Sequence, residues 1–345
     1  MFTLKYTITN KLLSNIKRIN NLVHELNDQR FPKIVLFEFE KNARAVSAYA
    51  STSIEGNPLP LTEVKKILKS TPIHIRDSEK EVLNYNQALE NLNQRLSDKN
   101  FSFSLDLILD TQKQVILELL PQIDIGRLRN KPVVVNDPRT GNVVYLPPEV
   151  EEVSRLVENL VSFVNKNREN IDPLIIAGIF HKQMVIIHPF MDGNGRTTRL
   201  MTKALLAHMG LDTFNLFSFE NYYNQNVTKY FQIVGEYGNY YELVETIDFT
   251  AWLEYFTEGV IDELLRVQKL LPHMSDTPGS QLHPYHMKII EHIRSNGFIT
   301  DGIYETLVDR AKATRTLDFQ KLLELGIIDR KEKGRATYYI LKERV

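Results

Sequence analysis

The chain has 345 residues, a formal net charge of −1, 43% hydrophobic and 25% charged residues, and no cysteine. That length exceeds what one hydrophobic core ordinarily serves, so two or three domains are expected, while the balanced charge argues against general attraction to nucleic acid or anionic membrane. The missing cysteines exclude disulfides and thiolate zinc sites and fit a reducing, cytoplasmic setting; with no apolar signal core and no uninterrupted membrane-length run, no membrane association is expected.

The first informative element is a helix expected from about Ile34, with Val35, Phe39, Ala43, Val46 and Ala50 on one face and Gly56 and Pro58 ending it. It closes on Ser51-Thr52-Ser53-Ile54-Glu55-Gly56-Asn57. Glu55 thus falls in the last turn, where a carboxylate meets the negative end of the helix dipole. A buried cation would offset this, and Arg199 or a neighbour is the candidate, since a guanidinium pairs a carboxylate bidentately.

Next, Val133-Val134-Val135 and Val143-Val144-Tyr145 flank a polar turn, Asn136 to Asn142, and predict a hairpin. In an otherwise helical chain an isolated hairpin leaves an edge able to pair with an extended segment of a partner.

Asp172-Pro173 opens a third helix, apolar nearly all round from Leu174 to Ile187, as befits a helix buried at a domain's centre. Pro189 stops it and biases His188 away from helical geometry. The run His188-Pro189-Phe190-Met191-Asp192-Gly193-Asn194-Gly195-Arg196-Thr197-Thr198-Arg199 follows. It gathers a general base, a carboxylate, two glycines, an amide and two guanidinium groups, the parts needed to hold a nucleoside triphosphate and move one of its phosphoryl groups. A helix is expected over Arg196–Met209, capped by Gly210, with Leu200, Met201, Ala204, Leu205 and Met209 as its apolar stripe. Arg196 and Arg199, three apart, share one side of the first turn, where cations oppose the dipole; a bound polyanion resolves that conflict. Asp192 offers a hard oxygen for Mg²⁺. No Gly-x-x-x-x-Gly-Lys-Ser/Thr loop occurs, which excludes a Walker-type site.

Beyond the aromatic pair Tyr230-Phe231 and an apolar helix around Trp252, the stretch Pro272–Ser280 is rich in turn formers and predicts a linker. The tail then alternates as an amphipathic helix at Met287–Ile293, a short helix from Ile299-Thr300-Asp301, and a helix from Ala313 to Leu325 capped by Gly326. A strand from Ile327-Ile328, a basic turn Lys331–Arg335 and a return strand Thr337–Leu341 complete it. This resembles a winged helix-turn-helix whose second helix presents Lys312, Arg315 and Lys321, suited to phosphate contact.

The twelve residues from His188 to Arg199 resemble, without a departure, the signature of Fic-domain proteins, His-x-Phe-x-Asp-Gly-Asn-Gly-Arg-x-x-Arg. The resemblance implies a mainly α fold, a Fic-type helical bundle with a small β-hairpin flap, followed here by the winged-helix-like domain. It implies an enzyme, a protein adenylyltransferase that transfers AMP from ATP to a Tyr, Ser or Thr hydroxyl of a target protein. His188 would be the catalytic base and Asp192 the Mg²⁺ ligand. Asn194 and the Gly193–Gly195 backbone would form an anion hole, with Arg196 and Arg199 clamping the β- and γ-phosphates and Thr197 and Thr198 completing the ATP-binding loop. Ser51-x-x-x-Glu55-Gly56 resembles the family's inhibitory motif, in which the Glu takes the loop's second Arg; Glu55 is therefore expected on Arg199. The hairpin resembles the flap on which a target docks, over Val133–Tyr145, with Val135 and Asn136 touching nucleotide. Tyr230 and Asn239 are assigned to the adenine. Self-modification is a further expectation; DNA and a homodimer are left open. The expected domains are a helical region carrying the inhibitory motif (1–110), the catalytic core (111–270), a linker (271–284) and the winged-helix-like domain (285–345). Two alternatives use the same residues: a DNA-binding regulator with a nucleotide-sensing body, and a phosphoryl or other nucleotidyl transferase on the same fold.

Overall fold

The computed structural model describes residues 4–27, 33–72, 74–96, 101–136, 140–211, 217–270, 283–324, 327–332 and 334–341, with side chains at all of these except 33–38, 270, 284, 294 and 335. The fold is mainly helical and divides into two compact units, residues 1–29 with 39–268, and residues 30–38 with 269–345.

The first unit is built around α7 (Pro173–Ile187). Asp172 caps it by accepting a hydrogen bond from Leu174 N at 2.9 Å, and Pro173 occupies the first turn. Leu174, Ile175, Ile176, Ile179, Phe180, Met184, Ile186 and Ile187 are all buried. Each such side chain contributes roughly 1.5–3 kcal/mol on full burial, so this helix anchors the core. It packs against α8 (Asn194–His208) and α6 (Val150–Asn167), while α8 in turn packs on α4 (Asp77–Leu96) and α5 (Leu105–Val115).

Those neighbours explain two departures from the sequence reading. Helix α8 begins at Asn194, two residues before the expected Arg196, and it has no single apolar stripe. Arg196, Thr197, Thr198, Arg199, Thr202 and Lys203 are all buried, because other helices close round it.

The hairpin also differs. Strands β1 (Val135–Asn136) and β2 (Val143–Leu146) pair antiparallel, Val135 opposite Tyr145 and Asn136 opposite Val143, so Val133 and Val134 lie before the strand. A third strand, β3 (Gly238–Asn239), pairs parallel with β2. The hairpin is therefore not isolated: β1 and β3 are the outer strands of a three-stranded sheet with β2 between them. Residues 137–139 of the turn lie outside the described residues. Further elements of this unit are α2 (Lys33–Ile54) from residue 39 on, α9 (Glu220–Gln225), α10 (Val227–Val234), α11 (Tyr240–Leu243) and α12 (Thr250–Leu270) up to residue 268, the last fixed to α7 by a hydrogen bond from Trp252 Nε1 to the Gly178 carbonyl at 2.7 Å.

The second unit contains α13 (Pro284–Asn296), α14 (Asp301–Leu307) and α15 (Lys312–Glu324), then the antiparallel strands β4 (Ile328–Lys331) and β5 (Tyr338–Leu341). A bridge from Ile299 to Tyr339 extends that pairing. Ile289, Ile290, Ile293, Tyr304, Phe319 and Leu322 form its core, and Phe319 stacks on Tyr339 with ring centroids 4.1 Å apart. Arg315 is not presented outward as the sequence reading supposed. It is buried, with Nε and NH2 donating to Asp301 at 2.9 and 3.1 Å, because the first turn of α14 carries the matching carboxylate. The linker 272–280, Gly326 and Lys333 fall outside the described residues.

Candidate active site

His188 ends α7 in the left-handed region, φ +49°, a conformation that strains a side-chain-bearing residue and persists only where the surroundings fix it. The fixing group is Arg129. Its backbone N–H donates to the Pro189 carbonyl at 2.8 Å and its Nε to the His188 carbonyl at 2.9 Å. The remaining guanidinium nitrogens donate to the carbonyls of Lys131 and Pro148. One buried side chain thus ties the loop to the segment entering the flap. Tyr145 makes a second tie, its hydroxyl donating to the Ile186 carbonyl at 3.1 Å. Burial pulls the His188 imidazole below its ordinary value, against the smaller opposing pull of the Val185 carbonyl and of the Glu55 and Asp192 carboxylates. Nδ1 is buried without an aligned hydrogen bond. The ring is neutral at neutral pH, as a proton acceptor must be.

The loop that follows is shaped by its own polar groups. The Asn194 side chain accepts from Phe190 N and donates to Phe190 O, both at 2.9 Å, so its amide closes the turn. Gln112, fully buried on α5, donates to the Asp192 carbonyl at 3.2 Å. Gly193 has φ +81°, and a Cβ there would lie 2.8 Å from Ile116 Cγ2, so only glycine fits.

The two arginines emerge on one side of α8. Arg199, 0% exposed, donates from NH2 to Glu55 Oε1 at 2.6 Å, and from Nε and NH2 to the hydroxyl and carbonyl of Ser51 at 2.8 and 2.9 Å. Burial is the largest single influence on the Arg199 pKa and lowers it; the Glu55 carboxylate, Tyr230 and Tyr85 together outweigh it and raise it. Glu55 reaches in because residue 195 is glycine: a Cβ there would stand 2.1 Å from Glu55 Oε1. Arg196 donates to Asp192 Oδ1 at 3.0 Å and lies 3.3 Å from Glu81 Oε1. Its Nε and NH1 are buried without aligned hydrogen bonds.

A cavity of about 460 Å³ brings several of these parts together, though Asp192, Gly193 and Arg196 are not among its lining residues. Glu55, Val135, Asn136, His188, Asn194, Gly195, Arg199 and Tyr230 all line it, with Phe231, Gln232, Glu236 and Tyr237 on the same wall. Tyr230 is nearly sealed; its hydroxyl lies 3.0 Å from His181 Nε2 and its ring stacks on Tyr223. Asn239 does not line the cavity: β3 pairs it with Leu146, and its Oδ1 caps α11 by accepting from Tyr241 N at 3.0 Å. The Thr197 and Thr198 side chains are 0% exposed and face the core, which leaves only their backbone near a ligand. Ser51 is likewise buried, serving as a hydrogen-bond partner of Arg199. Arg129, Gln112 and Glu81, which the sequence reading did not single out, join the site through packing.

No group of three or more His, Asp or Glu side chains able to hold a metal occurs among the described residues. Asp192, with its side chain 49% exposed, suits a Mg²⁺ ion that takes one protein carboxylate and completes its shell with phosphate oxygens and water. Among the described residues no helix is long and apolar enough to cross a membrane.

The Fic/DOC family model matches residues 102–206. A protein adenylyltransferase Fic of Nematostella vectensis is 31% identical over 174 residues, covering 49% of this chain and 39% of that protein. The protein adenylyltransferase fic-1 of Caenorhabditis elegans is 31% identical over 213 residues, covering 59% and 40%. The chain thus spans about two fifths of the length of these curated relatives. Among solved structures, a Fic family protein from Desulfovibrio desulfuricans superposes with a TM-score of 0.67 at 18% identity, over 100% of this chain and 99% of that one. A Fic-domain-containing signaling protein from Bacteroides thetaiotaomicron gives 0.58 at 19% identity, over 73% and 94%. The complete signature from His188 to Arg199 lies inside the span, residues 102–206, that matches the Fic/DOC family model, and the fold is that of solved Fic family structures.

Proposed function

We propose that this chain is a protein adenylyltransferase, moving AMP from ATP to a hydroxyl side chain of a target protein and restrained at rest by Glu55. The observation that carries the reading is the convergence, in one cavity, of a neutral His188 and the phosphate-seeking Arg199, with Glu55 on that same arginine. Sensing ATP would not need a base.

In the reaction the target hydroxyl gives its proton to His188 as its oxygen attacks the α-phosphorus. The bond from that phosphorus to the oxygen bridging toward the β-phosphate breaks, and pyrophosphate leaves. A positioned base contributes roughly 10²–10⁴-fold. Backbone N–H groups at the start of α8 and the two arginines receive the charge that builds on the departing phosphates. When bound at Asp192, Mg²⁺ supplies charge neutralisation on the phosphates. Tyr230 and Phe231 offer an aromatic wall for the base. The outer edge of β1 suits an extended target segment, which would bring its hydroxyl toward His188.

Only Glu55→Gly protein incubated with ATP labelled at the α- or γ-phosphate separates the readings. Bound α-label without γ-label supports AMP transfer; γ-label alone means phosphorylation; neither leaves a nucleotide sensor. His188→Ala abolishes the label in either transfer reaction.

The second unit we read as a winged helix-turn-helix, supported by its three helices and the β4–β5 hairpin. With Arg315 committed to Asp301, DNA contact would rest on Lys312, Lys321 and the turn from Lys331 to Arg335. A salt-titrated binding assay tests it, since phosphate contact weakens steeply with salt.

A further inference from the structure

Glu55 is not the only carboxylate at the phosphate-seeking arginines. Glu81, on α4, stands between the turn that carries Glu55 and the start of α8, and each of its oxygens has a different partner. Oε2 accepts from Asn57 Nδ2 at 2.7 Å, and Oε1 lies 3.3 Å from Arg196 NH1. Asn57 sits two residues past Glu55 and is itself pinned, donating to the Ser78 carbonyl at 2.8 Å and accepting from Leu59 N at 3.1 Å. Glu55 and Asn57 both hang from Thr52, their N–H groups donating to its carbonyl at 3.0 and 3.1 Å. The turn therefore has two attachments to α8: directly, from Glu55 to Arg199, and indirectly, from Asn57 through Glu81 to Arg196.

Arg196 is 3% exposed, yet its Nε and NH1 lack aligned hydrogen bonds. A buried guanidinium with donors unfilled is held on that side by charge alone and is ready to take a better acceptor. Three carboxylates (Glu55, Glu81 and Asp192) stand against these two guanidinium groups. A triphosphate must displace them to engage both arginines.

We propose that Glu81 is a positioning residue for the nucleotide: it occupies Arg196 while the site is empty and, through Asn57, ties the turn bearing Glu55 to that same arginine. The inference rests on the adenylyl-transfer reading only for its consequence in activity. A phosphate that draws Arg196 away from Glu81 also slackens the Asn57 attachment, so seating the donor loosens the turn that opposes it.

Two substitutions separate the arms. Glu81→Gln keeps a carbonyl for Asn57 but removes the charge facing Arg196; Asn57→Ala keeps the charge and removes the attachment. ATP dissociation constants, measured by calorimetry with Mg²⁺ on the full chain, read the first arm. In the Glu55→Gly background, Glu81→Gln is expected to tighten ATP about two- to five-fold, the range for a partly exposed ion pair, while Glu81→Asp stays near the parent. Unchanged or weaker binding by a Glu81→Gln protein that melts like its parent overturns the proposal. For the second arm, Asn57→Ala alone is expected to raise self-labelling from α-labelled ATP above the parent, and to bring no further gain once Glu55 is glycine. Equal labelling in Asn57→Ala and parent, while Glu55→Gly labels strongly, overturns that arm. If Glu55→Gly itself fails to label but the affinity changes appear, the reaction is wrong and the assignment of Glu81 to Arg196 stands.

Discussion

Replacing Glu55 by glycine removes one partner of the ion pair to Arg199 and should move stability and nucleotide affinity in opposite directions. Truncating one member of a fully buried pair costs about 3–5 kcal/mol. Here Arg199 is 0% exposed but the Glu55 side chain is 31% exposed, and Ser51 retains two hydrogen bonds to the guanidinium. The carboxylate also sits just past the C-terminus of α2, where the helix dipole disfavours it by some tenths of a kcal/mol. A net loss of about 1–2 kcal/mol follows, or a melting temperature lower by roughly 3–6 °C. The same energy no longer opposes a triphosphate that needs Arg199, so ATP should bind about 5- to 30-fold more tightly. Melting curves with and without ATP and Mg²⁺, together with calorimetric titration, measure both sides. Glu55→Gln, which keeps the shape and drops the charge, should move the same way by less. A Glu55→Gly protein that melts with its parent and binds ATP no more tightly would refute the reasoning.

Burial holds both His181 and His188 below the ordinary imidazole value. Between the folded values and about 6.5 the unfolded chain binds more protons, so stability falls as pH drops through about 6.5, and His181→Gln should flatten that slope in melting curves. For the same reason the acid limb of kcat/KM in the Glu55→Gly protein should lie below pH 6.5. Arg129→Lys keeps the backbone bond to Pro189 but cannot serve the three guanidinium bonds to His188, Lys131 and Pro148, because an ammonium lacks the planar fork. It should cost about 2–3 kcal/mol and lower kcat more than it raises KM, measured by denaturation and labelling kinetics. Gly195→Ala should destabilise the parent through its 2.1 Å clash with Glu55 Oε1, and destabilise Glu55→Gly less by about 1 kcal/mol or more in a double-mutant cycle.

Much of this architecture is written locally. Asp172-Pro173 and an apolar run broken only by His181-Lys182-Gln183 dictate α7, because capping chemistry and burial on all sides act within one segment. Pro189 after His188 fixes where that helix ends, and the glycines, the amide and the arginines follow within a few residues. Contributions that depend on chain segments far apart were harder to see. Gln112, Arg129 and Glu81 carry no motif; they belong to the site because α4, α5 and the flap entry pack beside the loop. Asn239 looked suited to a base and was turned to capping by the pairing of β3 with β2. Arg315 looked like a surface cation and was drawn inward by Asp301.

From its amino acids alone the chain determined a central buried helix, a phosphate-seeking loop at its mouth and a carboxylate at the end of an earlier helix. Each of those follows from the spacing of neighbouring residues and from helix-end chemistry. Which distant acid meets which arginine was decided by tertiary packing: Glu55 and Arg199 stand 144 positions apart, and the docking of α2 and α4 against α8 brings Glu55 to Arg199 and Glu81 to Arg196. An ion pair over such a distance has no local signal, because its energy exists only once the intervening helices have packed.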